Sequence, residues 1–376
     1  MQKSNLNCKI CGSRSSLSNI LSLNKVPPSA QGFTKNKRKN YISLNILQCQ
    51  SCGLVQSNNK PVKYFKETIR AAGFSKSMVK FRNKQFKSFI NKFNLKYKSI
   101  VEIGAGNGDY LSILKKYSKK SVGIENSKSN VSICKKKKLN VYRGYVADKK
   151  FKVPKGPYDG FICMSFMEHS PNVNNFLKGI IRNLNSEAYG IIEVPNFDMI
   201  LKKKLYTEFI IDHLNYFTKQ SLIQTLNING FEIIKINSIW DGYILSAIVK
   251  KRGIPQKLIL ENVINKIKKD FIKFKKKVKK KNIAIWGAGH QALTVISLAK
   301  INYKIKCIID SANFKQNKYS PGDKIKVIAP SEISNEKIDG IIIMAAGYSD
   351  EVYKFLKLKK FKGQIAILRH DHFEFK

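Results

Sequence analysis

The chain has 376 residues and a formal net charge of +45, with 43% hydrophobic and 11% aromatic residues. This length predicts two or three domains, and the apolar content is enough for a core in each, which excludes wholesale disorder. No uncharged stretch reaches the roughly 18 apolar residues of a membrane span, and the N-terminal sequence MQKSNLNCKICGSRSS lacks an apolar signal segment. We therefore expect a folded, cytoplasmic protein without a membrane span.

The large positive charge has two explanations. Dense lysine and arginine attract phosphate, as in nucleic-acid-binding proteins. However, Lys, Asn and Ile are abundant along the whole chain, including stretches with the pattern of ordinary helix surfaces, which is typical of a general compositional bias. We therefore expect an anionic small molecule, such as a nucleotide diphosphate, rather than long nucleic acid as the partner.

Two CxxC pairs, each followed by a glycine, lie in the N-terminal region and are separated by 37 residues. The thiols belong to Cys8, Cys11, Cys49 and Cys52. Four thiolates at two tight turns form the tetrahedral shell of a closed, structural zinc site. The spacing predicts a zinc-binding domain over residues 1–70, with redox-active or coincidental pairs as the alternative and iron as a competing ion.

A predicted amphipathic helix between residues 71 and 96 precedes a strand, Ser99–Ile103, and a glycine-rich turn. The turn contains Gly104, Gly106 and Gly108. Glycines let the backbone approach a ligand closely, and the helix that follows, from Tyr110 to Lys116, presents oriented N–H groups. The next strand ends at Glu125, 23 residues after Glu102, where a carboxylate can accept hydrogen bonds from both hydroxyls of a ribose.

The pattern Glu-x-Gly-x-Gly-x-Gly resembles motif I of class I S-adenosylmethionine methyltransferases and differs from the GxGxxG of dinucleotide-binding proteins. The resemblance implies an S-adenosylmethionine site formed by Glu102, Gly104, Gly106, Gly108 and Glu125. Strand Tyr158–Met164 takes the place of the fourth strand of that fold, so Met164 is also expected at the cofactor. A non-catalytic nucleotide-binding domain is the alternative.

Strands and helices alternate through about residue 250, which predicts an α/β, doubly wound parallel sheet in a methyltransferase domain over residues 71–254. Residues 255–281 have the apolar periodicity of an amphipathic connecting helix. Residues 282–376 repeat the strand, glycine turn and helix as GxGxxA, with a second strand ending at Asp310. This pattern predicts a small Rossmann-like domain and leaves open whether that domain binds a ligand.

The order of these motifs, with Asp212-His-Leu-Asn-Tyr-Phe217 after a Val-Pro-Asn segment, resembles the three-domain sugar C-methyltransferases of deoxysugar pathways. The resemblance covers nearly the whole chain. It implies methylation of a nucleotide-diphosphate 4-keto-6-deoxysugar at the carbon beside the ketone. It also implies that His213 is the base and that Asp212 stands where the family has an acidic residue next to the base. His169 would be a further active-site histidine. The ordinary pKa of histidine, about 6.5, suits a base at neutral pH.

The sequence departs from that family at two tyrosines, which align with Ile210 and Phe74. Both missing hydroxyls could stabilise an enolate. An O-methyltransferase forms no enolate, so sugar O-methylation stays open as an alternative function. An RNA methyltransferase and a non-catalytic binding module stay open as well. Either histidine could have a structural role instead, for example if His169 ends a strand.

Overall fold

The computed structural model describes residues 6–14, 16–33, 35, 39–67, 75–253, 260–279 and 282–376, with the backbone alone for 260 and 261. The chain divides into two compact units, Met1–Ile254 and Pro255–Lys376. The boundaries expected at residues 70 and 281 lie inside these units and stay predictions. Within the described ranges, no helix is long and apolar enough to cross a membrane.

The N-terminal part of the first unit is an antiparallel sheet that contains the second cysteine pair in one of its turns. Its strands, in spatial order, are β1 (Leu17–Val26), β2 (Ile42–Cys49), β3 (Val55–Ser57) and β9 (Asn215–Tyr216). We call residues 6–67 the cysteine module. Strand β9 comes from a distant part of the chain and begins two residues after His213. The sheet therefore joins the cysteine module to the segment that contains His213.

The main sheet of the first unit has the strand order β10-β11-β8-β7-β4-β5-β6. Its strands are β4 (Ser99–Ile103), β5 (Lys120–Glu125), β6 (Val141–Arg143), β7 (Tyr158–Met164), β8 (Leu184–Pro195), β10 (Phe231–Ile239) and β11 (Ile244–Lys251). The helices are α1 (Lys76–Lys92), α2 (Asp109–Tyr117), α3 (Lys128–Lys136), α4 (Val173–Arg182), α5 (Phe197–Lys202) and α6 (Lys219–Ile228), with 3₁₀ turns at Met167–His169 and Tyr206–Glu208.

This sheet has the strand order and layering of the class I methyltransferase fold, which confirms the predicted α/β, doubly wound class. The sheet is parallel except at one edge, where β11 runs antiparallel to β8 and β10 antiparallel to β11. The reason is the connection between β10 and β11, a tight turn with positive φ at Trp240, Asp241 and Gly242. A turn this short can join antiparallel strands, whereas parallel strands need a long crossover.

Helix α1 buries three apolar residues, Phe86, Phe89 and Ile90, together with one charged residue, which an amphipathic pattern does not predict on a buried face. Arg82 is 1% exposed, and its Nη1 lies 2.7 Å from a carboxylate oxygen of Glu193, which is fully buried. Loss of one partner of such a pair leaves an uncompensated buried charge, at a cost of about 3–5 kcal/mol. The pair therefore fixes α1 against the end of β8.

The second unit contains a six-stranded sheet, counted over its described residues, in the order β14-β13-β12-β15-β16-β17. The strands are β12 (Ile283–Trp286), β13 (Cys307–Ile309), β14 (Val327–Ile328), β15 (Gly340–Ile343), β16 (Gln364–Arg369) and β17 (His372–Phe375). The helices are α7 (Leu260–Lys277), α8 (His290–Ala299) and α9 (Ser349–Leu358), with 3₁₀ turns at Asn302–Lys304, Pro330–Glu332 and Ala346–Tyr348. All strands except β17 run parallel, and the buried Ile267, Phe271 and Phe274 of α7 pack in the core on one face.

Candidate active site

The four predicted metal-ligating cysteines converge in the cysteine module. Cys8 Sγ lies 3.5 Å from Cys52 Sγ, and Cys11 Sγ lies 3.6 Å from Cys49 Sγ. All four sulfur atoms lie within 4.8 Å of one another, and the thiols are free rather than disulfide-bonded. In a tetrahedral tetrathiolate with zinc–sulfur bonds of about 2.3 Å, the sulfur atoms are about 3.8 Å apart. The cluster is therefore of the right size for a zinc-like ion.

The predicted cofactor turn follows β4, and each of its glycines has the positive φ that other residues rarely adopt. The φ angles are 74° at Gly104, 53° at Gly106 and 78° at Gly108. Glu125, at the end of β5, is 1% exposed and accepts hydrogen bonds from the backbone N–H groups of Gly106 and Ser127, each at 2.8 Å. Each carboxylate oxygen can accept a second bond, so Glu125 can hold the turn and still receive a ribose hydroxyl.

Glu102 and Met164, the two other residues predicted to contact the cofactor, lie near the ends of the neighbouring parallel strands β4 and β7. They are 0% and 6% exposed, respectively. Because parallel neighbours end at the same edge of a sheet, both residues lie at the edge where the glycine turn begins. Their contacts with a cofactor stay predictions.

A small cavity of about 10 Å³, the space of a single water, adjoins the glycine turn. Its lining includes Gly104, Glu125, Phe166 and, from the cysteine module, Lys66. The Lys66 ammonium lies 5.1 Å from the centre of the Tyr145 ring and 3.4 Å from Asp148. Lys66, a half-buried side chain, lines this cavity together with the glycine turn.

The chain leaves β7 through Ser165, a non-glycine residue with a φ of 49°. Non-glycine residues in this conformation are uncommon and cluster at functional sites. Ser165 donates its N–H to the carbonyl oxygen of Glu193 at 2.9 Å, which holds the turn against β8. The turn directs the following 3₁₀ segment to the same sheet edge as the glycine turn.

Three side chains with acid–base capacity meet beyond this turn. Glu168, His169 and His213 offer carboxylate and imidazole atoms that all lie within 4.8 Å of one another. The ring centres of the two histidines are 5.0 Å apart, and His169 Nε2 lies 3.9 Å from Glu168 Oε1. The predicted histidines are therefore neighbours although 44 positions separate them in sequence. Glu168 was not predicted, although its position beside His169 was a signal for it.

Burial sets the charge states in this cluster. It lowers the pKa of His213 to about 3, with a contribution from neighbouring His169, so the imidazole is neutral at working pH. It raises the pKa of Glu168, against the opposing effect of His169. Glu168 is 2% exposed, and its Oε2 has no hydrogen-bond partner among the described residues. The cluster thus offers a neutral base and a carboxylate with spare acceptor capacity, and the same three groups could also ligate a metal ion.

Asp212, which we expected beside the base, is held by the cysteine module. Its Oδ1 accepts the N–H of Ala30 at 2.7 Å, and its Oδ2 accepts the hydroxyl of Tyr64 at 2.8 Å. Its backbone oxygen lies 2.9 Å from His169 Nδ1, which donates to it when that nitrogen is protonated. This bond leaves Nε2 of a neutral His169 as an acceptor. Asp212 therefore orients His169 through its backbone and contacts the cysteine module through its side chain.

The positions of the two missing tyrosines differ in what the structure shows. Ile210 donates its N–H to the hydroxyl of Tyr216 at 3.2 Å, and the same hydroxyl donates to the Ile210 carbonyl at 3.1 Å. The Tyr216 hydroxyl is therefore engaged with backbone rather than available to a substrate. Phe74 lies outside the described residues.

Two models of known families match the chain. A methyltransferase domain matches residues 78–236, and a C-methyltransferase C-terminal domain matches residues 259–368. The first match contains the glycine turn and the Glu168, His169 and His213 cluster. The second lies entirely within the second unit.

A curated relative is the C-methyltransferase NovU of Streptomyces niveus. It is 18% identical over 342 residues, which cover 82% of this chain and 81% of that protein. Among solved structures, an S-adenosylmethionine-dependent methyltransferase from Clostridium acetobutylicum ATCC 824 is 11% identical, with 46% of this chain and 92% of that chain covered and a TM-score of 0.39. The plantazolicin methyltransferase BpumL, in a complex that contains SAH, is 17% identical, with 46% and 84% covered and a TM-score of 0.38.

Proposed function

We propose that this chain, an S-adenosylmethionine-dependent methyltransferase, methylates the carbon beside the ketone of a nucleotide-linked deoxysugar. The observation that carries the proposal is the meeting of Glu168, His169 and His213 at the sheet edge that also bears the glycine turn. The matched C-methyltransferase C-terminal domain and the similarity to a C-methyltransferase support carbon as the acceptor. The net charge of +45 suits a nucleotide diphosphate.

His213 would remove the proton from the carbon beside the ketone. Its pKa is lowered to about 3, so the imidazole is neutral at working pH but a weaker base than an ordinary histidine, and the proton must pass on to a stronger acceptor. The resulting carbanion, shared with the ketone oxygen, would form a bond to the methyl carbon as the methyl–sulfur bond of the sulfonium breaks and leaves a neutral thioether. A positioned base of this kind contributes about 100- to 10,000-fold to the rate.

Glu168 would be the final holder of the proton within the cluster. An imidazolium at His213 is disfavoured by burial and by His169, whereas a carboxylate becomes neutral when it accepts the proton. Burial raises the pKa of Glu168, so the proton is held there more tightly than on an exposed glutamate. The imidazole of His213 and the carboxylate of Glu168 lie within 4.8 Å of each other, so a small approach of the two groups would allow this transfer.

The residues of the glycine turn and Glu125 fit a nucleoside-containing cofactor. The positive φ angles of the glycines bring backbone close to a ligand, and Glu125 has acceptor capacity for a ribose. When bound, S-adenosylmethionine supplies the electrophilic methyl group on its sulfonium. Together, Glu102, Gly104, Gly106, Gly108, Glu125 and Met164 would hold the cofactor.

We further propose that the four cysteines hold a structural zinc ion. Their sulfur separations of 3.5 and 3.6 Å support a tetrahedral tetrathiolate. A site with four protein ligands leaves no position for a substrate, so zinc would stabilise the fold of the cysteine module rather than take part in methyl transfer.

The decisive test is mass spectrometry of products from the purified full-length chain with S-adenosylmethionine and a panel of nucleotide sugars, including 4-keto-6-deoxy forms, in deuterated water. We expect the gain of one methyl group together with loss of an exchangeable carbon-bound proton. A methyl gain with every ring proton retained would replace the proposal by sugar O-methylation, which does not need the missing tyrosine hydroxyls. Methylation of RNA, with every sugar unchanged, would overturn it.

A further inference from the structure

The carboxylate of Asp212 has a different environment from the one its position beside His213 suggests. It is 2% exposed, and its two oxygens already accept hydrogen bonds from Ala30 and Tyr64. Both donors belong to the cysteine module and precede Asp212 by 182 and 148 positions. The side chain therefore joins the module to the segment that contains His213.

Lys9 makes a second connection from within the first cysteine pair. Its ammonium donates to the carbonyl oxygens of Ser57 at 2.8 Å and Leu214 at 3.1 Å. Its backbone N–H donates to the side chain of Gln56 at 2.9 Å. Because Lys9 lies between Cys8 and Cys11, the shape of the cysteine turn fixes the direction in which its side chain leaves the backbone.

Strand pairing makes a third connection. Strand β3, which begins three residues after Cys52, pairs with β9 through Val55 opposite Tyr216 and Gln56 opposite Asn215. The Ser57 N–H donates to the Leu214 carbonyl at 3.0 Å, so this oxygen is held by both Ser57 and Lys9. On its other side, the Leu214 N–H donates to the Glu168 carbonyl at 2.9 Å.

We propose that the cysteine module positions His213, with Lys9 and Tyr64 as positioning residues and with the metal-bound cysteines setting the direction of Lys9. The hydrogen bonds act on the residues directly before and after His213, so they restrict its backbone from both sides. The catalytic consequence rests on the proposed function, in which His213 is the base. The structural part, that the module orders residues 212–216, is independent of the acceptor.

The test uses the full-length chain with two substitutions, Lys9→Met and Tyr64→Phe, that retain all four cysteines. Lys25→Met and Tyr41→Phe are matched controls, because they change the same residue types at exposed positions of the module. Hydrogen exchange of the backbone amides of residues 212–216 is measured by mass spectrometry. Zinc content is measured as well, together with affinity for S-adenosylhomocysteine, the product that the cofactor leaves after methyl transfer. We expect exchange about 10-fold faster in the two test variants, since each loses a hydrogen bond to a charged group or carbonyl.

Zinc content should stay within about two-fold in all four variants, since each retains the four cysteines. Affinity for the product should also stay within about two-fold, since the glycine turn is unchanged. With an active acceptor, kcat should fall about 10-fold in the test variants while KM for S-adenosylmethionine stays constant. Unchanged exchange at residues 212–216, or an equal rise in the controls, would overturn the proposal. Faster exchange with unchanged kcat would also overturn it, because the module would then order the segment without assisting catalysis.

A second arm removes the metal with a chelator and repeats the exchange measurement. We expect faster exchange at residues 212–216 and unchanged exchange in α2, which follows the cofactor turn. Continued protection of residues 212–216 after metal loss would refute the role of the metal. If no nucleotide sugar is methylated, the proposed function fails while both exchange measurements still decide whether the module orders this segment.

Discussion

Both units contain a strand, a glycine turn and a helix, followed by a second strand with an acidic residue at its end or directly after it, but the acids are used differently. In the first unit, Glu125 accepts two backbone N–H groups and forms no ion pair with any described residue. In the second unit, Asp310 accepts two backbone N–H groups and also the ammonium of Lys315 at 3.0 Å. Glu125 therefore keeps its negative charge for a ligand, whereas that of Asp310 is compensated within its own loop.

The segments that follow the neighbouring strands differ even more. After β7, the chain presents Glu168 and His169 beside His213. After β15, the corresponding segment is Met-Ala-Ala-Gly-Tyr, which has no carboxylate or imidazole before Asp350. A glycine turn therefore builds the fold in both units, while the residues after the adjacent strand decide whether the edge can carry out chemistry.

The largest effect should come from the histidine that distinguishes the two edges. His213→Gln removes the proposed base, so methyl-transfer turnover should fall by about 100-fold or more. His290→Gln, in the glycine turn of the second unit, is the matched control and should keep near-normal turnover. Steady-state kinetics of both variants, with affinity for the cofactor product as a check on folding, gives the measurement. Near-normal turnover of His213→Gln would remove this residue from the mechanism.

The two acids offer the next test. Glu125→Gln should weaken binding of the cofactor product about 10-fold, because a hydrogen bond to a charged acceptor contributes about 1.5–3 kcal/mol. Asp310→Asn should leave that affinity unchanged and instead lower the stability of the second unit, since it removes the partner of Lys315. Calorimetric titration and thermal unfolding measure the two effects. Equal loss of affinity in both variants would contradict the comparison.

The pH dependence of stability gives a third, smaller effect. The pKa of His213 is about 3 in the folded chain and about 6.5 when unfolded, so between these values the unfolded state binds more protons and stability falls as pH falls. His213→Gln should reduce this loss between pH 7.5 and 4.5 by about 1 kcal/mol, since solvent reaches part of the ring and weakens the effect of burial. Urea unfolding at both pH values measures the loss of stability. If His213→Gln loses as much stability as the unmodified chain, His213 is not the cause of the pH dependence. His290→Gln should keep the wild-type loss.

Local patterns predicted the parts of the site that short stretches of sequence build. The cysteine pairs, the glycine turn after β4 and the acid at the end of β5 each depend on a few adjacent residues, and the structure has them at the expected places. Contacts between distant segments were not predictable in this way. The bond from Lys9 to Leu214 spans 205 positions, and a lysine between two cysteines carries no signal of its target. The buried Arg82 was missed for a similar reason, since its partner Glu193 lies 111 positions away.

The smallest expected effect is on the association rate of the cofactor, and it is tested at two lysines with similar surroundings. Lys66 lies 3.4 Å from Asp148 and over the ring of Tyr145, and it lines the cavity beside the first glycine turn. Lys315 lies 3.0 Å from Asp310 and over a phenylalanine ring, and it lines an apolar cavity of about 260 Å³ in the second unit.

Lys66→Ala should raise the association rate of the cofactor about three-fold, because an exposed lysine pair contributes at most about 1 kcal/mol and its removal opens the cavity. Lys315→Ala should leave that rate unchanged. Stopped-flow binding at low and high salt separates loss of charge from loss of bulk, since screening removes only the electrostatic part. A rate for Lys66→Ala equal to that of the unmodified chain at both salt concentrations would show that the cofactor enters past other residues. A change in Lys315→Ala of the same size would mean that the two cavities are functionally linked, and the contrast between the units would then fail.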